Sequence, residues 1–355
     1  MKSLADVDLH ELQSALHDAA LPQSHALRLL LAYYKQNGMI DTDALQLGAP
    51  ATALFNDLLS TTHTTVAARH VSSDGTVKLL LSLRAGGTVE AVLMPSYHDT
   101  RAAGCLSSQV GCAMGCDFCA STRGGLERNL SAGEIVEQFL HLKREAATQG
   151  RRLNTVVFMG MGEPMHNLDA VATAIRRVTV PPFNLIAKRG VTVSTVGIVP
   201  GIERLASMDL NVHLALSLHA PDDETRSKLI PSNKRWKVAD VMDAAKRFSE
   251  STGRVVTIEY TLLAGVNDSD AQARELSRVM HGFRAHVNLI PYNPIGPGLS
   301  GVTYEKPSAD RIERFRTILT DANVVTHVRQ TRGDDVHAAC GQLRHRATAL
   351  PIASV

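Results

Sequence analysis

The sequence has no run of about 18 or more apolar residues, the least that spans a bilayer as a helix, although 44% of its 355 residues are hydrophobic. Its opening, "MKSLADVDLHELQ", carries acids where a signal peptide needs an apolar segment. A cytoplasmic protein with no membrane partner is expected. An excess of one charge is lacking too: 37 Lys and Arg against 35 Asp and Glu leave +2, so no overwhelming basic surface announces nucleic acid. Cysteine is scarce, and its count of five is odd. In a reducing compartment that argues against a disulfide framework and for metal binding or catalysis.

The little charge present is unevenly spread. Residues 1–83 hold five Lys and Arg against eight Asp and Glu, a net of −3, and the remainder holds 32 against 27, a net of +5. The basic part contains adjacent pairs, among them Lys143-Arg144, Arg151-Arg152, Arg176-Arg177, Lys188-Arg189 and Lys234-Arg235. Such pairs are ordinarily solvated helix ends, but several on one rim would hold a phosphate backbone.

Hydrophobic spacing divides the chain. "LHELQSALHDAA" and "SHALRLLLAYYKQ" repeat every three or four residues and predict a helical module over residues 1–70. "TVKLLLSLRAGGTVEAVLMP" predicts two strands about a Gly-Gly turn, a hairpin region over residues 71–102. From residue 103 to 345, apolar runs such as "NTVVFMGMG", "GVTVSTVG", "VHLALSLHA" and "VVTIEYTLL" alternate with amphipathic stretches. That is the pattern of parallel βαβ units in an α/β fold. Residues 346–355 are read as a tail. Glu163, Ser194, Ser217, His219 and Asn293 fall at the C-terminal ends of different strands, which favours a partial or full (β/α) barrel over an open doubly wound sheet. In "LSAGEIVEQF", Ser131 and Glu134 predict a capping box, with Leu130 stapled to Ile135.

Three cysteines crowd into "GCAMGCDFC": Cys112, Cys116 and Cys119, at CxxxCxxC spacing on a loop after the first barrel strand. A structural zinc site needs four ligands, which Cys105 would have to complete. Three thiolates on a four-iron cluster leave one iron open to a small molecule.

This spacing resembles the signature of the radical S-adenosylmethionine (SAM) enzymes. Together with "CLSSQVGCAMGCDFCAS", "FMGMGEPMHN", "VTVSTVGIVPGI", "LALSLHAP", "VNLIPYNP" and "TRGDDVHAACGQL", it resembles the RNA adenine methyltransferases of the RlmN and Cfr type, over Cys105 to Leu343. The resemblance implies a radical SAM barrel and a [4Fe-4S] cluster on Cys112, Cys116 and Cys119. It further implies two SAM molecules per turnover, held by Gly162, Glu163, Ser194, Ser217, Leu218, His219 and Asn293.

It also gives the remaining thiols a purpose. An adenine ring carbon is electron-poor and does not attack a SAM methyl group. The family uses a cysteine as methyl carrier, matched here by Cys340. A radical drawn from its S-methyl group adds to the base, Glu90 matches the proton acceptor, and Cys105 matches the thiol that releases the product with a transient disulfide. The implied substrate is 23S rRNA, with tRNA as a second substrate in many members, and a reducing partner such as flavodoxin is implied as well. "TRGDD" and the proline of "GEP" resemble the type that methylates carbon 2 rather than carbon 8, while the acidic, aromatic-poor N-terminal module departs from the usual pattern. Three other readings stay open: carbon 8 methylation of 23S rRNA as in the Cfr type, a radical SAM enzyme on a substrate other than RNA, and a non-catalytic zinc-bound RNA-binding protein.

Overall fold

The computed structural model describes residues 2–60 and 62–343. Apolar spacing forms helices where expected: α1 (Leu9–Asp18), α2 (Ser24–Lys35) and α3 (Ala49–Leu58). Asp8 caps α1, accepting from the Glu11 amide at 2.7 Å. Along α2, Leu29, Leu30, Tyr33 and Tyr34 are buried.

The helical expectation to residue 70 fails at its end, because Thr64–Val71 is a strand, β1. Its side chains are largely exposed, and an antiparallel strand with one face in water shows little apolar signal. The expected hairpin follows as β2 (Val77–Leu83) and β3 (Thr88–Pro95), with Leu81 opposite Val89. In its turn Gly87 has φ +81°, and a Cβ there would stand 2.8 Å from Val110 Cγ1, so glycine is required twice over.

The hairpin joins the main sheet instead of standing apart. β3 pairs antiparallel with β4 (Arg101–Cys105), which begins a parallel run. The run continues through β5 (Arg152–Phe158), β6 (Val191–Thr195), β7 (His213–Ser217), β8 (Val256–Leu262), β9 (Ala285–Pro291) and β10 (Thr326–Val328). Helices α4 (Ala132–Thr148), α5 (Leu168–Thr179), α6 (Val199–Ser207), α7 (Asp223–Leu229), α8 (Val238–Thr252), α9 (Asp270–Val279) and α10 (Ala309–Asp321) connect these strands.

The ten strands lie in chain order from edge to edge. A doubly wound sheet reverses its strand order so that helices reach both faces; an unreversed order keeps right-handed crossovers on one side and curls the sheet. Among the described residues no pairing joins β10 to β1 or β4, so the barrel is partial.

The α4 start is as expected: Ser131 Oγ accepts from the Glu134 amide at 3.1 Å, and a Glu134 oxygen accepts from the Ser131 amide at 2.8 Å. The N-terminal module docks on this outer layer. Asp6 accepts from the Gly133 amide at 2.7 Å, an acid at a helix N-terminus. Arg177 of α5 donates to the carbonyls of Ala5 and Asp6, and Arg144 of α4 to that of Asn37 at 2.6 Å. Two of the basic pairs therefore give one member each to holding the module. The expected tail, 346–355, lies outside the described residues.

Candidate active site

Seven parallel strands end at one mouth, and the loops there are stitched by buried polar side chains. After β4, Ser107 Oγ donates to the Glu90 carbonyl at 2.7 Å and accepts from the Met161 amide at 2.9 Å. Gln109 Oε1 accepts from the Glu163 amide at 2.8 Å. "SSQ" thus fastens the first loop to "GMGEP". Gly162 has φ +99°, and a Cβ there would lie 2.5 Å from Gln109 Cβ, so this loop admits no side chain at that point.

Glu163 is 2% exposed. Its carboxylate accepts from the Met165 and Val196 amides, both at 3.0 Å, tying β5 to β6. Burial nonetheless pushes its carboxyl up to about 7, a setting that favours a cationic ligand. Ser194 Oγ and Ser217 Oγ, on neighbouring strands, are 3.4 Å apart.

His219 has φ +58° and accepts at Nδ1 from the Thr261 amide at 2.8 Å. Burial, with Arg226 nearby, holds its imidazole down at about 3; the ring is neutral, with its proton on Nε2. Asn267 bonds the His219 and Thr261 carbonyls, both at 2.7 Å, giving the "GVNDS" stretch a positioning task.

One cavity, about 900 Å³ and partly open, is lined by Cys112, Cys116, Cys119, Gly162, Glu163, Ser194, Ser217, His219, Glu259 and Cys340, with other residues of the same loops. A second, about 570 Å³, is lined by Cys105, Asn293, Arg329, Arg332 and again Cys340. Asn293 therefore sits at the second cavity, donating to the Cys340 carbonyl at 3.2 Å. Leu218 and Glu90 line neither. Leu218 is core, and its carbonyl accepts from Arg226 at 3.0 Å. Glu90 is buried because β3 is an interior strand; Lys78 Nζ pairs with it at 3.1 Å and donates to the His337 carbonyl at 3.2 Å. Val92, two residues along β3, faces Cys105 across the ladder, so Glu90 shares the Cys105 side of the sheet.

The three clustered thiols suit a cationic cluster. Burial pushes the Cys112 thiol up to about 12 and Cys116 well above its ordinary value, and the neighbouring thiols add to both. Thiols that cannot ionise alone do so around a metal. Glu259 Oε2, in the same cavity, is buried without a hydrogen-bond partner. Cys105 lines the other cavity and not the one lined by Cys112, Cys116 and Cys119.

Three contributors escaped the sequence reading: Glu259, Arg329 and Arg226. Arg226 is fully buried and donates to the Leu218, Val196 and Ser217 carbonyls and to Asn233 Oδ1 at 2.6–3.3 Å. It clamps the ends of β6 and β7. Arg226→Met should leave these acceptors unpaired, costing about 3–5 kcal/mol and lowering Tm by roughly 10 °C. An unchanged melting curve would show that the clamp contributes nothing. For Glu259 and Arg329 the sequence signal was a charged residue inside or at the end of an apolar run; Arg226, in "DDETRSK", gave none.

A half-open barrel with CxxxCxxC thiols, a strand-end glutamate and paired serines at its C-terminal mouth defines a radical SAM protein, and the model of the Radical SAM superfamily matches residues 106–276. A probable dual-specificity RNA methyltransferase RlmN 1 from Opitutus terrae is 52% identical, with 99% of each chain covered. A probable dual-specificity RNA methyltransferase RlmN from Symbiobacterium thermophilum is 44% identical over 97% of this chain and 91% of that one. The crystal structure of a radical SAM methyltransferase from Sphaerobacter thermophilus superposes with TM-score 0.91 at 41% identity, covering 98% of this chain and 100% of that one. The chain belongs to the RlmN family of radical SAM methyltransferases. Membership brings a [4Fe-4S] cluster and SAM. Among the described residues no helix is long and apolar enough to cross a membrane.

Proposed function

We propose that this protein methylates carbon 2 of an adenosine in 23S rRNA, and of one in tRNA, with Cys340 as methyl carrier and Cys105 as resolving thiol. One observation carries the reading: Cys340 lines both cavities, so one sulfur faces the three clustered cysteines on one side and Cys105 on the other. Cys112, Cys116 and Cys119 would hold the cluster, whose bound form supplies the electron that converts SAM to a 5′-deoxyadenosyl radical.

Cys340 takes a methyl group from one SAM as a nucleophile and then loses a hydrogen atom from it to the radical derived from a second. The new carbon bonds to adenine, and the electron the adduct must lose would return to the oxidised cluster that Cys112, Cys116 and Cys119 would hold. Glu90 takes the ring proton. Cys105 attacks the Cys340 sulfur; the carbon–sulfur bond breaks toward carbon, which gains a proton to become methyl, and a Cys105–Cys340 disulfide remains for a reductant such as flavodoxin to open.

Arg329 fits this traffic. It lines the Cys105–Cys340 cavity, lies 3.7 Å from Glu259, and is held charged above its usual range, chiefly by Cys340. Burial pushes the Cys105 thiol up to about 12, so a buried cation is what a thiolate there needs.

Nucleosides from rRNA and tRNA treated with reconstituted enzyme, SAM and reductant should contain 2-methyladenosine by mass spectrometry. Finding 8-methyladenosine instead would refute the carbon assignment, and finding neither would refute the RNA reading.

A further inference from the structure

We propose that Tyr97 and Arg332 form a stacking clamp, at the mouth of the second cavity, for an RNA base flanking the adenosine that enters it. The inference rests on the RNA-methylation reading and gives Tyr97 and Arg332 a role that the family resemblance did not supply.

Beyond β3 the chain makes a short loop, Ser96–Thr100, before β4. The Ser96 amide donates to the Arg101 carbonyl at 3.0 Å, the Arg101 amide to the His98 carbonyl at 2.9 Å, and the Arg152 amide to the Thr100 carbonyl at 2.8 Å. Arg151 Nη1 adds bonds to the carbonyls of Ser96, His98 and Arg101 at 3.1–3.4 Å. The backbone is thus tied down from several directions, yet Tyr97 is 81% exposed, more than any other large apolar side chain described. Its ring carries the Arg332 guanidinium, with Cζ 5.3 Å from the centroid.

Arg332 is also a wall of the cavity that holds Cys105 and Cys340, and Asp74 steadies it at 4.0 Å. A rigidly presented aromatic face therefore stands one guanidinium away from the thiols that meet the base. An enzyme that works on a ring carbon draws its base out of the stack, which leaves the neighbouring bases with a bare face. Tyrosine rings and arginine planes are the side chains on which such bases stack.

The test uses reconstituted full-length enzyme and RNA stem-loops carrying 2-aminopurine on either side of the methylated adenosine. Wild type should quench the fluorophore at one flanking position. Tyr97→Ala should abolish the quenching and weaken RNA affinity about five- to a hundredfold, whereas Tyr97→Phe should retain both. Arg332→Gln should weaken binding and lower the salt slope by about one. If wild type methylates RNA while Tyr97→Ala keeps full quenching and affinity, the clamp is refuted and the function stands. If wild type methylates no RNA, the function reading falls, and the clamp with it.

Discussion

Replacing Cys340 by alanine should abolish RNA methylation, by on the order of 10⁴-fold or more, while iron binding and reductive cleavage of SAM persist. The selectivity follows from what holds the loop. The Ala120 amide donates to the Gly341 carbonyl at 2.7 Å, Ser121 Oγ to the Leu343 carbonyl at 2.8 Å, and Asn293 Nδ2 to the Cys340 carbonyl at 3.2 Å. The Ala339 amide donates to Gln342 Oε1 at 3.2 Å. None of these bonds uses the Cys340 sulfur. Alanine therefore keeps the loop, the wall between the cavities and the three cluster thiols, and removes only the atom that would carry the methyl group. Iron and sulfide content, deoxyadenosine release and methylated nucleoside are measured on the same preparation. Substantial methylation by the variant would end the carrier role, because no other thiol lines both cavities among the described residues.

How much of this was legible beforehand depended on whether chemistry is local in the chain. The CxxxCxxC loop, the capping box at Ser131 and the parallel runs from β5 onward are written in short windows, and each appears where its residues predict. β1 was lost because "TTVAARHV" alternates against solvent and buries almost nothing. The burial of Glu90 was not legible, because the hairpin's second edge pairs with β4, a contact made by register rather than by local pattern. Arg226 was hidden for a similar reason. Its carbonyl acceptors follow β6 and β7, 8–30 residues away in the chain. The N-terminal acidity, a poor match for an RNA surface in sequence, is partly turned inward: Asp6 caps α4, and Glu137 of α4 in turn accepts from Ser3 Oγ at 2.6 Å and the Thr64 amide at 2.7 Å.

Cys105→Ala should let the reaction run forward and then stop, trapping protein joined to RNA through the Cys340 sulfur. Cys105 is the last residue of β4, paired with Val92 on one side and Val157 on the other. These ladders are backbone bonds that alanine keeps, and loss of one small buried side chain costs about 1–2 kcal/mol, too little to unfold the barrel. Methyl acceptance, hydrogen removal and addition to adenine all proceed at Cys340 without the second thiol. Release does not, because breaking the thioether needs a sulfur nucleophile within reach of Cys340, and Cys105 is the thiol that shares its second cavity. After incubation with SAM, reductant and RNA, a denaturing gel should show a slower protein band that nuclease digestion removes, and peptide mass spectrometry should place the adduct on Cys340. Serine at position 105 should trap it as well, since a hydroxyl cannot complete a disulfide. A variant that turns over freely and shows no shifted band would mean that release follows another route and that Cys105 is only a buried strand residue.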